Sequence, residues 1–158
     1  MRRLFADELK KQMVYDADII VITFDLGYKL WDQIRDEYPT RFYNVGAAES
    51  AGMDIAMGLA LSGKKPFVYS ITNFLLYRPF ETLRTYINYE KIPVRLVASG
   101  RDEDYEIDGI SHHSKDAKQI LDCLPNIIQY WPDGKKGIPN LVKKMVEINS
   151  PQFISLRK

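Results

Sequence analysis

Three short stretches concentrate the residue types that do chemistry. The first, Asn44–Gly63 (NVGAAESAGMDIAMGLALSG), sets a lone carboxylate, Glu49, after a turn of small residues and at the head of an Ala- and Gly-rich segment. Small residues let such a helix approach another backbone closely. Glu49 reads either as a proton-handling acid or as a first-turn acid stabilised by the helix dipole, and spacing alone favours the second. The second stretch, Ser70–Arg84 (SITNFLLYRPFETLR), places Phe74 and Tyr77 in a loop between a strand-like and a helix-like run. Two aromatics there can wall a flat heteroaromatic ring or simply cap a core, and the bare residues favour the cap. Arg78, Glu81 and Arg84 in the same stretch read as charge pairs on a solvated helix face. The third stretch, Gly100–His113 (GRDEDYEIDGISHH), carries both histidines of the chain beside Asp104, Glu106 and Asp108. Histidine is the side chain best suited to move protons near neutral pH. A zinc set lacks a third His or a Cys, and the acids lack calcium-loop spacing, so no metal ligand is assigned. No Gly-rich phosphate fingerprint and no nucleophile elbow occur.

The elements around these stretches alternate between strand and helix patterns. Met1–Tyr15 has Leu4, Phe5, Leu9 and Met13 near helical spacing and predicts an amphipathic helix. Asp18–Phe24, Pro66–Ile71 and Val94–Ala98 are short apolar, β-branched runs, the pattern of strands buried on both faces. Arg41–Asn44, Ile127–Tyr130 and Gln152–Leu156 complete the strand set. Helices are predicted over Leu30–Glu37, Glu49–Ser62, Pro79–Tyr89 (Pro79 in its first turn), Ser114–Leu121 (Ser114 as N-cap) and Asn140–Ile148. Such alternation predicts an α/β fold in three layers: a mostly parallel twisted sheet with helices on both faces. Ligands then bind beyond the carboxyl ends of the strands. The loops Asp25–Tyr28, Thr72–Arg78 and Ser99–His113 all leave such ends.

Bulk properties narrow the function. At 158 residues the chain matches one domain, and a net charge of +1 supplies no field to recruit nucleic acid or an anionic membrane. The single cysteine, Cys123, cannot form an internal disulfide, which fits a cytoplasmic protein. No signal peptide is recognisable and no apolar run is long enough to span a bilayer. Ten tyrosines and seven phenylalanines predict a large aromatic core, an extensive interface, or both.

In order, the stretches RFYNVGAAESAGMDIAMGLALSGKKPFVYSITNF, RPFETLRTYINYEKIPVRLVASG, DGISHHSKDAKQILDCLPNI and PQFISLR resemble the pyrimidine-binding (Pyr) domain of transketolase. They are similar also to deoxyxylulose-phosphate synthase and to ketoacid dehydrogenase β-subunits. The likeness runs from about Asp25 to Arg157. It implies thiamine diphosphate held between two domains: a PP domain binding the diphosphate through Mg2+, and a Pyr domain binding the aminopyrimidine ring. The family's G-x-x-E glutamate bonds ring nitrogen N1′. Gly46-Ala47-Ala48-Glu49 matches it, so the resemblance gives Glu49 a catalytic and cofactor-binding role. A proton shared at N1′ favours the imino tautomer of the 4′-amino group, which can then remove the C2 proton of the thiazolium. The family's ring-stacking aromatic falls on Phe74, with Tyr77 the alternative. The D-G-x-[ST]-H stretch, Asp108 to His112, implies a substrate-contacting His112 in preference to His113. Asp25-Leu26-Gly27 resembles a loop near the cofactor.

Two departures shape the expectation. The 158 residues contain no Gly-Asp-Gly…Asn magnesium-binding stretch and no transketolase C-terminal domain. The chain is therefore expected to be a single Pyr unit that needs a PP-domain transketolase subunit, in a dimer or heterotetramer. Its beginning at Met1 and its end just after a strand point to a natural split subunit. The implied activity is ketol transfer on a sugar-phosphate-like substrate. The alternatives are a non-catalytic assembly module of the same fold and a subunit of a thiamine-dependent decarboxylase or synthase. A flavodoxin-like mononucleotide binder would fit the α/β pattern but lacks its phosphate loop.

Overall fold

The computed structural model describes residues Met1–Lys158. Six strands form one sheet: β1 Ile19–Thr23, β2 Phe42–Asn44, β3 Lys65–Ile71, β4 Arg95–Ser99, β5 Ile128–Tyr130 and β6 Gln152–Leu156. Their order is β2-β1-β3-β4-β6-β5, and every pairing is parallel. The expected mostly parallel sheet is thus wholly parallel, and all strand ends that carry the three chemical stretches lie on one edge. The order reverses between β1 and β3, the place where open α/β sheets admit ligands.

Alternation along each central strand splits the core. Ile20, Ile22, Val68, Leu96, Ala98 and Phe153 face one apolar layer, while Ile19, Val21, Phe67, Tyr69, Val97 and Ile154 face the other. The first layer is closed by α3 (Glu49–Leu61), α4 (Thr72–Tyr77), α5 (Phe80–Thr82) with the π-helix Leu83–Tyr89 that continues it, and α6 (Ala117–Asp122). The second is closed by α1 (Arg2–Tyr15), α2 (Asp32–Glu37) and α7 (Ile138–Glu147). Helix α1 buries Phe5, Ala6, Leu9 and Met13, so the helical spacing read from sequence marks its core face, with Ala6 buried in place of the half-buried Leu4. No helix is long and apolar enough to cross a membrane.

Three local expectations change. Thr72–Arg78 is a six-residue helix and its cap rather than a loop, because Leu75 and Leu76 find full burial against the sheet. Pro79 caps the following helix from outside its first turn. Ser114 is not a helix cap. It is buried, its N–H donates to the Asp102 carbonyl at 2.8 Å in an isolated antiparallel bridge, and α6 starts three residues later.

Arg95 opens β4 inside the core with no exposed surface. Its guanidinium donates to the carbonyls of Met145 (3.1 Å), Pro93 (2.6 Å) and Ile148 (3.0 Å). It thereby satisfies carbonyls at the C-terminal end of α7, where a cation is also favoured by the helix dipole. Burial pulls its pKa down to about 10, partly opposed by Asp16, so it remains charged at neutral pH. Arg95→Leu leaves the Pro93 carbonyl without this donor and takes one of two donors from the Met145 and Ile148 carbonyls, which Gln152 Nε2 also bonds at 3.0 Å. It is expected to lower unfolding free energy by about 1–3 kcal/mol in urea titrations. An unchanged midpoint would show that water replaces the guanidinium.

Candidate functional site

Glu49 is the first residue of α3 and is 2% exposed. The turn ahead of it is set by Asn44 at the end of β2. The Asn44 Oδ1 atom accepts the N–H of Asp25 at 2.8 Å and that of Gly46 at 3.1 Å. One side chain thereby joins the loop after β1 to the turn before α3. Gly46 takes a left-handed φ of +72° there, which a residue without a Cβ adopts freely. Gly52, one turn into α3, lets the helix approach Phe24 and Val45: a Cβ would sit 2.2 Å from the Phe24 ring. These contacts carry the buried carboxylate to the carboxyl edge of the sheet.

An isolated buried carboxylate is costly, so its partner matters. That partner is Arg78, whose Nη1 lies 2.8 Å from Oε1 and 2.7 Å from Oε2 of Glu49. Arg78 is thus not part of a solvated i,i+3 charge ladder with Glu81 and Arg84, as its spacing suggests. Its carbonyl also accepts the Ser50 hydroxyl at 2.9 Å, fastening the end of α4 to the start of α3. The guanidinium carbon stands 3.8 Å from the centroid of the Phe74 ring. On Phe74, in turn, the His112 ring rests edge-on, with centroids 4.9 Å apart and planes at 69°.

Helix α4 holds this cluster together. Thr72 donates to the carbonyl of Ser99 at 3.2 Å and also bonds that of Gly100, fixing the exit of β4. Asn73 donates to the Ser111 carbonyl at 3.2 Å and so pins the turn carrying His112. His112 Nδ1 shares a 2.9 Å hydrogen bond with the Ser111 hydroxyl. His113 faces elsewhere, lining a cleft of about 500 Å³ with Asn73, Tyr77, Ile110, Lys115 and Asp116.

Glu49, Phe74 and His112, expected from sequence, therefore form one chain of contacts through Arg78. Tyr77 stands apart on the rim, 44% exposed, with its hydroxyl donated to Asp116. Partial burial and that bond push its pKa up to about 12 from the ordinary value of about 10. Both causes favour the protonated phenol, so its contribution to stability is complete below pH 10 and lost as pH rises through about 12. A spectrophotometric titration of wild type minus Tyr77→Phe is expected to show one phenol ionising near pH 12. A difference curve centred near pH 10 would mean that the bond to Asp116 does not persist in water. Asp25, with φ of +54°, orients the loop after β1 through its backbone and bonds the Tyr28 hydroxyl. Sequence reading missed Arg78 and Asn44, and only the turn-forming type of Asn44 hinted at its part.

The chain thus sets a buried acid at a helix head, flanked by an aromatic face and a histidine edge, on the carboxyl rim of a parallel sheet. Among known families, the model of the transketolase pyrimidine-binding domain matches residues 1–158. The chain belongs to the transketolase pyrimidine-binding domain family. A putative transketolase C-terminal section from Methanocaldococcus jannaschii is 27% identical over 157 residues, covering 99% of this chain and 50% of that protein. One of the subunits of the apulose-4-phosphate transketolase of Phocaeicola vulgatus is 29% identical, covering 97% of this chain and 49% of its own length. The chain thus spans about half the length of these curated relatives. Among solved structures, a split-gene transketolase described as an inactive β4 tetramer superposes with TM-score 0.86 at 29% identity, over 99% of this chain and 50% of that one. The transketolase of Leishmania mexicana superposes with TM-score 0.85 at 19% identity, a likeness of fold. This pyrimidine-binding domain thus has the sheet and the helices on both faces seen in its family.

Proposed function

We propose that this chain is the aminopyrimidine-binding unit of a thiamine-diphosphate-dependent, transketolase-like transferase, completed by a separate PP-domain subunit. The observation that carries the reading is the buried Glu49 carboxylate, joined through the Arg78 guanidinium to the face of Phe74. A flat, nitrogen-bearing group fits that seat: the Arg78 guanidinium already lies on Phe74 and pairs with Glu49. An aminopyrimidine has the same requirements, a carboxyl group at its ring nitrogen and an aromatic surface below it.

In this reading Glu49 shares a proton with N1′, Phe74 supports the ring, and His112 faces the substrate. Phe74 takes the stacking role in preference to Tyr77, whose hydroxyl is engaged by Asp116. The cofactor, when bound, supplies a carbon nucleophile that accepts a two-carbon ketol unit from a sugar-phosphate-like donor. In this reading its diphosphate and Mg2+ fall to the partner, as the family's Gly-Asp-Gly…Asn magnesium-binding stretch does not occur in these 158 residues. Two relatives, one named as a C-terminal section and the other as one subunit of a transketolase, support a divided enzyme. A β4 assembly described as inactive supports the need for a second kind of chain.

The test is calorimetric titration of thiamine diphosphate with Mg2+ into this chain, into a candidate PP polypeptide, and into their mixture. The mixture is expected to bind about 100-fold more tightly than this chain alone, as sites completed across an interface do. Full affinity in this chain alone, or no binding in a mixture that demonstrably assembles, would contradict the reading.

A further inference from the structure

The closest polar partner of Glu49 is a residue that cannot do what Glu49 is proposed to do. A guanidinium remains charged at all working pH values and does not exchange a proton with a carboxylate in the way a ring nitrogen does. Yet Arg78 satisfies both oxygens of Glu49 and covers the Phe74 ring at 3.8 Å. Glu49 is 2% exposed, whereas the Arg78 side chain is 44% exposed and has open solvent into which it can swing. The acid is buried and the base is half-exposed.

We propose that Arg78 is an internal plug: its guanidinium imitates the aminopyrimidine ring, occupies the ring's seat while the chain is without cofactor, and must be expelled for the ring to enter. The inference rests on the reading of Glu49 and Phe74 given above. Planarity, N–H groups in one plane and attraction to an aromatic face make arginine the natural residue that can satisfy both surfaces at once. While seated, Arg78 gives the buried carboxylate a partner and denies the aromatic face to other flat cations. No covalent change is involved, only exchange of one planar donor for another. The apparent affinity for the ring is reduced by the fraction of molecules in which the seat is filled. The tether makes this exchange local. The Arg78 carbonyl stays bonded to Ser50, so only the side chain needs to move.

The experiment titrates the 158-residue chain with 4-amino-5-hydroxymethyl-2-methylpyrimidine, the ring fragment alone, by calorimetry and by NMR of the arginine Nε–H groups. Arg78→Met and Arg78→Gln both vacate the seat, and two variants guard against one failing to fold. Each is expected to bind the fragment about tenfold or more tightly than wild type, and Glu49→Gln in the same background is expected to erase the gain. In wild type, the Arg78 Nε–H signal is expected to shift on saturation as the guanidinium leaves the Phe74 ring. Folded Arg78 variants that bind no tighter than wild type, or not at all, overturn the plug. If Glu49→Gln abolishes wild-type binding while Arg78→Met weakens it, Arg78 is a ring contact: the plug falls and the proposed function stands. If Glu49→Gln leaves binding untouched throughout, the seat lies elsewhere and both fall.

Discussion

In the proposed assembly with a PP subunit and thiamine diphosphate, Glu49→Gln is expected to reduce turnover by about 10²–10⁴-fold, the range supplied by a positioned proton-transfer group. The amide keeps the volume and one acceptor oxygen of the carboxylate. It can therefore fill the same buried position at the head of α3, and the freed Arg78, already 44% exposed, can turn to water. The pair includes a half-exposed arginine, so solvent screening leaves it a small share of stability, and the melting temperature is expected to stay within a few degrees of wild type. Turnover and melting curves on the same preparation separate the two effects. A variant that melts normally and turns over normally would show that Glu49 is the first-turn acid its spacing first suggests.

Gly27→Ala is expected to cost about 2–5 kcal/mol of unfolding free energy, the largest single stability effect in the loop region. Gly27 ends the loop after β1 with φ of +82°, a region that costs an L residue about 1–2 kcal/mol. An added Cβ would also lie 2.6 Å from Trp31 Cδ1 and 3.0 Å from Tyr69 Cε1. Both rings are 2% exposed and packed edge-to-face at 5.2 Å, so neither yields without disturbing the other. Gly46→Ala provides the control: φ is +72°, but no atom stands within 4 Å of the added Cβ. Urea titrations are expected to show the backbone share alone at Gly46 and a distinctly larger loss at Gly27. Equal losses would mean that the rings make room.

The contrast between what the chain disclosed and what it concealed follows from the range of the interactions. Strands β1, β3 and β4 were legible because they are buried on both faces and so read as short, mainly apolar and β-branched runs. Helix α1 was legible from its spacing. Helix α4 was not, because six residues are too few to display a helical period and its stability comes from burying Leu75 and Leu76. Ser114 looked like a cap from its type and position, but tertiary pairing with Asp102 claimed its backbone first.

The candidate site divides in the same way. Gly46-Ala47-Ala48-Glu49 and Asp108 to His112 are local patterns, and through family resemblance they single out Glu49 and His112 as candidates. Arg78 belongs to no such pattern: its partner is 29 positions away. The resemblance ranks Phe74 ahead of Tyr77, and the structure adds what sequence could not, that Phe74 lies beneath the Arg78 guanidinium while the Tyr77 hydroxyl reaches Asp116. Aromatic abundance pointed to a core, an interface or both. Phe5, Phe24, Phe67, Tyr69 and Phe153 are buried, whereas Tyr15, Tyr28, Tyr86 and Tyr89 are exposed.

The proton at C2 of bound thiamine diphosphate exchanges with deuterium whether or not a donor or acceptor sugar is known. Its exchange rate in the proposed complex with a PP subunit therefore reports on activation of the cofactor apart from any sugar chemistry. Rapid quenching and proton NMR of the released cofactor give that rate for wild type and for Glu49→Gln. The expected result is exchange slowed by about 10²-fold or more in the variant, with cofactor occupancy matched. Equal rates at equal occupancy would contradict the assignment of this buried acid to the cofactor ring.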